Sequence, residues 1–193
     1  MNCADCEDKD CYQGEDCTNI KEEVIKKYRT NKDDLELAKV ASFIEGKYYM
    51  KLCRLEELIE FSKQMDYKHL GIVFCIGLAT EAKVLQKILK KNAFKITSVC
   101  CKVCGIAKDD FDFQKIQTEG DETMCNPVGQ AEILNREKVD LAIVCGICVG
   151  HDILFHKHCQ RPITTLVVKD RILGHNPIAA LYSPYYLNNK FEV

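Results

Sequence analysis

The sequence predicts an α/β protein with a small, mainly parallel, Rossmann-like sheet and flanking helices. Two observations support this fold class. From residue 67 onward, short aliphatic and β-branched runs alternate with segments of helical periodicity, which is the pattern of βαβ units. Several of these runs end in loops rich in Cys and Gly, as expected where buried strands end at one edge of an open sheet. A Cys-rich segment (1–17) and a helical segment (18–66) precede this α/β domain (67–193).

Composition and charge narrow the classes of function. The chain has 193 residues, 47% of them hydrophobic, which is enough to bury a core. A net charge of -2 gives no electrostatic reason to expect nucleic acid or an anionic membrane surface. No secretory pattern starts at Met1 and no apolar run approaches the ~20 residues of a spanning helix, so we expect a cytoplasmic protein. In that reducing compartment, thirteen Cys indicate metal or redox chemistry rather than disulfides.

The N-terminal segment contains four closely spaced cysteines and almost no apolar residues. Their spacing is typical of a four-cysteine zinc knuckle or an iron–sulfur loop. Metal binding would supply the folding free energy that the segment cannot obtain from a core. The competing interpretation is a disordered acidic tail. The predicted ligands are Cys3, Cys6, Cys11 and Cys17.

Three helices are predicted between this segment and the sheet. Thr18 can cap the first, the second begins at 31–34, and the third begins near Cys53. Cys53 lies among apolar residues, so we expect it to be a small core side chain.

The remaining chain alternates strands and helices. Predicted strands cover 70–75, 94–100, 140–145 and 163–168, and predicted helices cover 79–91, 128–138 and 153–157. The first βαβ unit predicts a parallel pair with a right-handed crossover. The long polar segment 105–127 is typical of a lid or binding loop.

Residues 139–155 combine a buried strand, a tight loop and a helix start, and the loop holds Cys148 and His151. Two other strands end in thiols, so we expect thiols from distant parts of the chain to converge on one edge of the sheet. Cys101 is expected to face this site rather than Cys100, since neighbours on a strand point in opposite directions. Cys145 lies within the strand and is expected to pack in the core. The predicted metal ligands here are Cys75, Cys101, Cys125, Cys148 and His151.

Other residues near this edge suggest further roles. Cys148 and His151 are also placed to act as catalytic thiol and base. Lys169, Asp170 and Arg171 follow the last strand, and such a position supports binding of an anion or carboxylate. A redox interpretation competes, because Cys101 and Cys104 form a Cys-x-x-Cys pair in a βαβ context.

Nearly the whole chain resembles a family of uncharacterised prokaryotic proteins, domain-of-unknown-function family 1847, usually labelled metal-binding. The matching segments are Phe74-Cys75-Ile76-Gly77, Val99-Cys100-Cys101-Lys102, Cys125-Asn126-Pro127, Cys148-Val149-Gly150-His151-Asp152, residues 165–171 and Gly174-His175-Asn176-Pro177. The resemblance implies a suspected metal and no established reaction. It also draws attention to His175 as a group that could contact a metal ligand or a substrate.

Three functions stay open at this point. The first is a metalloprotein with zinc or an iron–sulfur cluster, whose partner is a metal or a small molecule. The second is a thiol enzyme in which Cys148 or Cys101 is the nucleophile and His151 the base. The third is a metal carrier or sensor without catalysis. The sequence indicates no particular protein partner.

Overall fold

The computed structural model describes all residues from 1 to 193 and divides into two compact units, Met1–Lys51 and Leu52–Val193. None of its helices combines the length and the apolar character needed to cross a membrane.

The first unit is helical. Two short 3-10 helices, Cys3–Asp5 and Asp10–Gln13, precede the α-helices α1 (Lys21–Thr30) and α2 (Lys32–Tyr48). Asn31 caps α2 by accepting hydrogen bonds from two backbone N–H groups of its first turn.

The predicted Thr18 cap of α1 is wrong. The carboxylate of Asp16 accepts hydrogen bonds from the Thr18 hydroxyl at 2.6 Å and from the backbone N–H of Lys21 at 3.2 Å. A carboxylate accepts such bonds better than a hydroxyl does, so Asp16 takes the place that the sequence pattern gave to Thr18. The Thr18 hydroxyl bond is also the main reason why the pKa of Asp16 is lowered.

The second unit is built on a parallel sheet of four strands. The strands are β1 (His69–Phe74), β2 (Lys95–Cys100), β3 (Leu141–Cys145) and β4 (Ile163–Val167), in the order β2-β1-β3-β4. All pairs are parallel, with Phe74 opposite Cys100 on one side and Cys145 on the other. The predicted α/β fold class is confirmed.

Helices cover both faces of this sheet. They are α3 (Arg54–Gln64), α4 (Ala79–Lys91), α5 (Pro127–Arg136) and α6 (His151–His158), followed by the short α7 (Pro184–Tyr186). Side chains of α3 and α4, including Leu58 and Leu89, form one core with the sheet. Side chains of α5 and α6, including Leu134 and Phe155, form the other. The strands are therefore buried on both faces, as their continuous apolar runs require.

Helix α3 belongs to the sheet unit, although the sequence pattern groups it with the preceding helices. Cys53, at its start, is exposed and is not the core residue that the pattern predicts. Its backbone N–H donates a 2.8 Å hydrogen bond to the Glu56 carboxylate at the helix N-terminus. The helix begins one residue later, so Cys53 lies outside the apolar face.

The strand order reverses between β1 and β3, because the chain continues from β1 to β2 on one side and returns to β3 on the other. Such a reversal leaves a crevice beyond the carboxyl ends of the strands. Gly146 ties the strand ends together, since its N–H bonds to Val167 and its carbonyl accepts from Cys75. A Cβ there would lie 2.1 Å from a methyl group of Leu78, so only glycine fits at this position.

Candidate functional site

The thiols of the second unit lie beside this crevice. Cys75 directly follows β1, Cys101 directly follows β2, and Cys148 lies in the loop between β3 and α6. Cys125 lies just before α5, whose N-cap is Asn126. The backbone N–H of Asn126 donates a 2.7 Å hydrogen bond to the Cys101 carbonyl, which brings the start of α5 to the end of β2.

Cys101 and Cys125 form the centre of the cluster. Their side chains are hydrogen-bonded to each other, and Cys101 is 1% exposed. The Cys101 sulfur also accepts a 3.3 Å hydrogen bond from the backbone N–H of Ile76, in the loop after β1. The pair therefore joins the loops after β1 and β2 to the start of α5.

The proton of this pair resides on Cys101. The hydrogen bond that the Cys101 thiol donates lowers the pKa of Cys125 to about 5, with further help from the charges of Lys102 and His151 against the effect of burial. The same hydrogen bond, followed by burial, raises the pKa of Cys101. We assign the negative charge to Cys125 because the two nearby basic side chains act on it. Cys125 is consequently a thiolate near neutral pH.

Cys75 and Cys148 complete the cluster. The charges of Cys75 and Cys125 both act on Cys148, and that of Cys75 also acts on Cys101. Burial raises the pKa of Cys148, against the opposing charge of Arg171. Arg171 Nη2 donates a 2.8 Å hydrogen bond to Cys148 Sγ. Four thiols from four separate loops thus lie within electrostatic reach of one another.

Two buried polar atoms near the cluster have no hydrogen-bond partner. One is Nδ1 of His151, the first residue of α6. The other is Oε1 of Gln130, a fully buried side chain of α5. The Gln130 amide group donates through Nε2 to the carbonyls of Phe74 and Val99, near the ends of β1 and β2. Gln130 therefore holds in place the two strand ends that lead into Cys75 and Cys101.

The residues after β4 separate into two roles. Asp170 and His175 close a turn, in which the Asp170 N–H donates to His175 Nδ1 at 3.0 Å. The Asp170 carboxylate is occupied by the N–H groups of Ile172 and Leu173 at 2.9 and 2.8 Å. Lys169 and Arg171 instead reach loops at the strand ends: a Cβ on Gly77 would lie 3.2 Å from Lys169 Nζ, and Arg171 contacts Cys148.

Other cysteines stand apart from the cluster. Cys145 is buried in β3, as expected, and burial raises its pKa to about 11. Cys104 is exposed, and the hydrogen-bonded partner of Cys101 is Cys125. The four N-terminal cysteines Cys3, Cys6, Cys11 and Cys17 are all exposed. No group of three or more His, Cys, Asp or Glu side chains in the chain is arranged to hold a metal ion, and metal binding stays a prediction.

Sequence reasoning missed two residues of this site. Lys102 acts on Cys125 and also donates a 2.6 Å hydrogen bond to the Thr123 carbonyl, so it fastens the loop that precedes Cys125. Two signals could have pointed to it: its position next to Cys101 and its place in the family segment Val99-Cys100-Cys101-Lys102. The signal for Gln130 is its place on the buried face of α5. It is the one polar residue on that face, whose other members are Pro127, Ala131 and Leu134.

The fold and the site define an α/β protein with a cluster of thiols at the carboxyl edge of a parallel sheet. The chain belongs to the family described as Protein of unknown function (DUF1847), whose model matches residues 12–166. It is 53% identical over 193 residues to an uncharacterised protein of Methanocaldococcus jannaschii, covering 100% of this chain and 99% of that protein. The family expected from the sequence is thereby confirmed. No solved structure gives a significant match.

Proposed function

We propose that the protein performs thiol chemistry at the carboxyl edge of its sheet, with Cys125 as the attacking group and Cys101 as its partner. The juxtaposition of these two residues carries the proposal: the 2.7 Å hydrogen bond from the Asn126 N–H to the Cys101 carbonyl holds their segments together, and each side chain shifts the pKa of the other. It resembles the arrangement by which dithiol proteins keep one sulfur as a reactive thiolate and the other as a protonated thiol.

The surroundings of Cys125 fit this role. A pKa of about 5 leaves it ionised near neutral pH, and the positive charge of Lys102 supports the ionised form. Cys125 also lies beside the N-terminus of α5, where the helix dipole favours negative charge. It is half-buried, so a small reagent can reach it while the Cys101 sulfur remains covered.

Thiol–disulfide exchange is the reaction that this pair supports best. Cys125 Sγ attacks one sulfur of a disulfide, forms a mixed disulfide and releases the other half as a thiolate. Cys101 then loses its proton and attacks Cys125 Sγ, which closes a Cys101–Cys125 disulfide and releases the second half. One released thiolate takes the Cys101 proton and the other is protonated by solvent. Two electrons pass from the protein to the substrate, and a cellular thiol must reduce the protein again.

We place this chemistry in the cytoplasm. All thirteen cysteines are free thiols, and a reducing compartment keeps them so. The long loop before Cys125 likewise contains no disulfide and is held by the hydrogen bond from Lys102 to the Thr123 carbonyl.

Peptide mapping after brief treatment with iodoacetamide at pH 5.5 tests the proposal. Cys125 should be alkylated first, and Cys125→Ser should remove that product. Cys104→Ser is the matched control, because it removes an exposed thiol close in sequence to Cys101. Labelling of exposed cysteines at this pH while Cys125 stays unmodified would refute a reactive Cys125.

Binding of a soft metal at the same cluster is the second candidate. The observation in its favour is the convergence of four thiols with His151, because disulfide exchange needs only two. Thiolates and imidazole are ligands that suit zinc and, for thiolates, iron–sulfur clusters. Neighbouring thiols raise the pKa of Cys148 in part by repulsion, which a bound cation would relieve. Metal binding would require these side chains to rearrange, since no group is already set to hold an ion.

Elemental analysis and a visible spectrum of anaerobically purified protein test this candidate. Comparison of Cys148→Ala with Cys6→Ala separates a site at the sheet edge from a site in the N-terminal segment. Loss of one metal equivalent in only one variant would locate the site. A folded, colourless and metal-free wild-type protein would end the metal candidate and leave the thiol proposal standing. Metal that exchanges freely without turnover would instead indicate a carrier or sensor.

A further inference from the structure

We propose that Lys169 and Arg171 form an anion-binding subsite beside the thiol cluster, and that the substrate is a small disulfide carrying a carboxylate or another oxyanion. This inference rests on the thiol chemistry proposed above and adds the class of its substrate. It depends on three features of the segment after β4. The guanidinium group of Arg171 makes only one hydrogen bond, the ammonium group of Lys169 has no ion-pair partner, and the carboxylate of Asp170 is bound by backbone N–H groups.

Arg171 has donors to spare. Its guanidinium group has five N–H donors, and its one hydrogen bond goes from Nη2 to Cys148 Sγ at 2.8 Å. A cysteine sulfur is only a weak hydrogen-bond acceptor, so this contact uses little of the binding capacity of the guanidinium group. An oxyanion would accept two parallel hydrogen bonds from the same guanidinium group, which is the geometry that arginine favours.

Lys169 brings a second positive charge to the loops at the carboxyl ends of the strands. Its ammonium group lies next to the backbone of Gly77, in the loop after β1. It acts on Cys145 together with Glu81, but Glu81 is not within ion-pairing distance of it. The charge of Lys169 is therefore available to a ligand.

Asp170 lies between these two basic residues and could be expected to neutralise them. Its Oδ1 is bound instead to the N–H groups of Ile172 and Leu173 within its own turn. His175 fixes that turn by accepting the N–H of Asp170. The Asp170 carboxylate is thus held by backbone N–H groups of its own turn and forms no ion pair with Lys169 or Arg171.

The position of these charges selects the kind of ligand. Arg171 contacts Cys148, which is near enough to Cys125 for the Cys125 charge to influence its ionisation, so an anion bound to Arg171 would lie in the neighbourhood of the attacking sulfur. The crevice at the reversal of strand order is the place where open α/β sheets bind small ligands. A disulfide with an oxyanion on one half could bind through that oxyanion and present a sulfur to Cys125.

Two alkylating reagents of nearly equal size test the inference. Iodoacetate carries a carboxylate and iodoacetamide a neutral amide; with either, Cys125 Sγ forms a bond to carbon and iodide leaves. The measured quantity is the ratio of the iodoacetate rate to the iodoacetamide rate at Cys125, determined by mass spectrometry at pH 5.5 and low salt. Salt at about 0.5 M should lower the wild-type ratio, since it screens exposed charges.

Arg171→Gln and Lys169→Gln should each lower this ratio by roughly fivefold, and the double variant by more. Arg171→Lys keeps the charge and should retain most of the ratio. Lys87→Gln is the matched control, because it removes one charge from the exposed face of α4 and should leave the ratio unchanged. A ratio that stays within about twofold of wild type in the double variant overturns the anion subsite while Cys125 remains reactive. Absence of labelling at Cys125 by either reagent would instead defeat the thiol chemistry, and the subsite with it.

Discussion

Replacement of Cys101 by Ala is the sharpest test of the site, because it removes the largest cause of the low Cys125 pKa. The hydrogen bond from Cys101 is the main reason that this pKa falls from about 9 to about 5. Lys102 and His151 remain in the variant, whereas burial still opposes ionisation. The pKa of Cys125 should therefore rise substantially toward the ordinary value in Cys101→Ala.

The size of the effect depends strongly on pH. At pH 5.5 a thiol of pKa about 5 is roughly three-quarters ionised, whereas one of pKa about 9 is ionised to about 0.03%, a ratio of about 2,400. A thiolate of lower pKa is also less nucleophilic, by about 40- to 100-fold for a pKa difference of four units. The wild-type Cys125 should thus react about 20 to 60 times faster than an ordinary thiol at pH 5.5. Near pH 8 the order should reverse, and an ordinary thiol should react about four to nine times faster, because it is then about one-tenth ionised and more nucleophilic.

The assay is the pH dependence of alkylation at Cys125, followed by mass spectrometry between pH 4.5 and 9. In the wild type the rate should rise with a midpoint near pH 5 and then stay level, whereas in Cys101→Ala the midpoint should move to higher pH. Cys101→Ser can still donate a hydrogen bond and should keep much of the low midpoint. Cys104→Ala is the control and should follow the wild type. An identical profile for Cys101→Ala and wild type would refute the role given to the Cys101 hydrogen bond.

Two further predictions concern the scaffold of the site. Gly146→Ala should lower the free energy of unfolding by about 3 kcal/mol or more, because the new Cβ meets a Leu78 methyl group and the φ angle is +72°. Gly150→Ala is the control: Gly150 has a φ angle of +86° but open space around its Cβ, so this change should cost only about 1–2 kcal/mol. Equal losses of unfolding free energy in the two variants, measured by urea denaturation, would contradict the packing argument. Gln130→Glu should destabilise the fold by about 3 kcal/mol or more at pH 7, because it turns a carboxylate toward two carbonyl oxygens in a fully buried place. Gln130→Leu keeps the volume and also removes the unpaired Oε1, so it should cost about 1–2 kcal/mol. A larger loss for Leu than for Glu in the same denaturation experiment would contradict the cost assigned to the buried carboxylate.

The elements of the sheet unit follow closely from local patterns. The helix predicted at 79–91 is observed over the same residues, and the four predicted strands lie within a residue or so of those observed. Apolar periodicity and the loops rich in Gly and Cys suffice for this, because the strands are buried on both faces and each must be a continuous apolar run.

Errors occurred where a side chain lies at a boundary. Cys53 belongs to an apolar pattern but precedes the first turn of α3, so it is exposed. Asp16 replaces Thr18 at the start of α1 because its carboxylate, a stronger acceptor than a hydroxyl group, accepts the N–H of Lys21 in the first turn. Periodicity reports which face a residue occupies, but it does not determine where the element begins.

The sequence by itself determined the parallel α/β sheet and the set of thiols at its edge, because burial and strand direction can be deduced from the order of residues along the chain. Only the tertiary structure paired Cys101 with Cys125 rather than with Cys104, and only it separated the free charges of Lys169 and Arg171 from the occupied carboxylate of Asp170. The physical reason is distance. A pKa and a counter-charge depend on contacts of a few ångströms between groups far apart in the chain, and spacing along the sequence does not record those contacts.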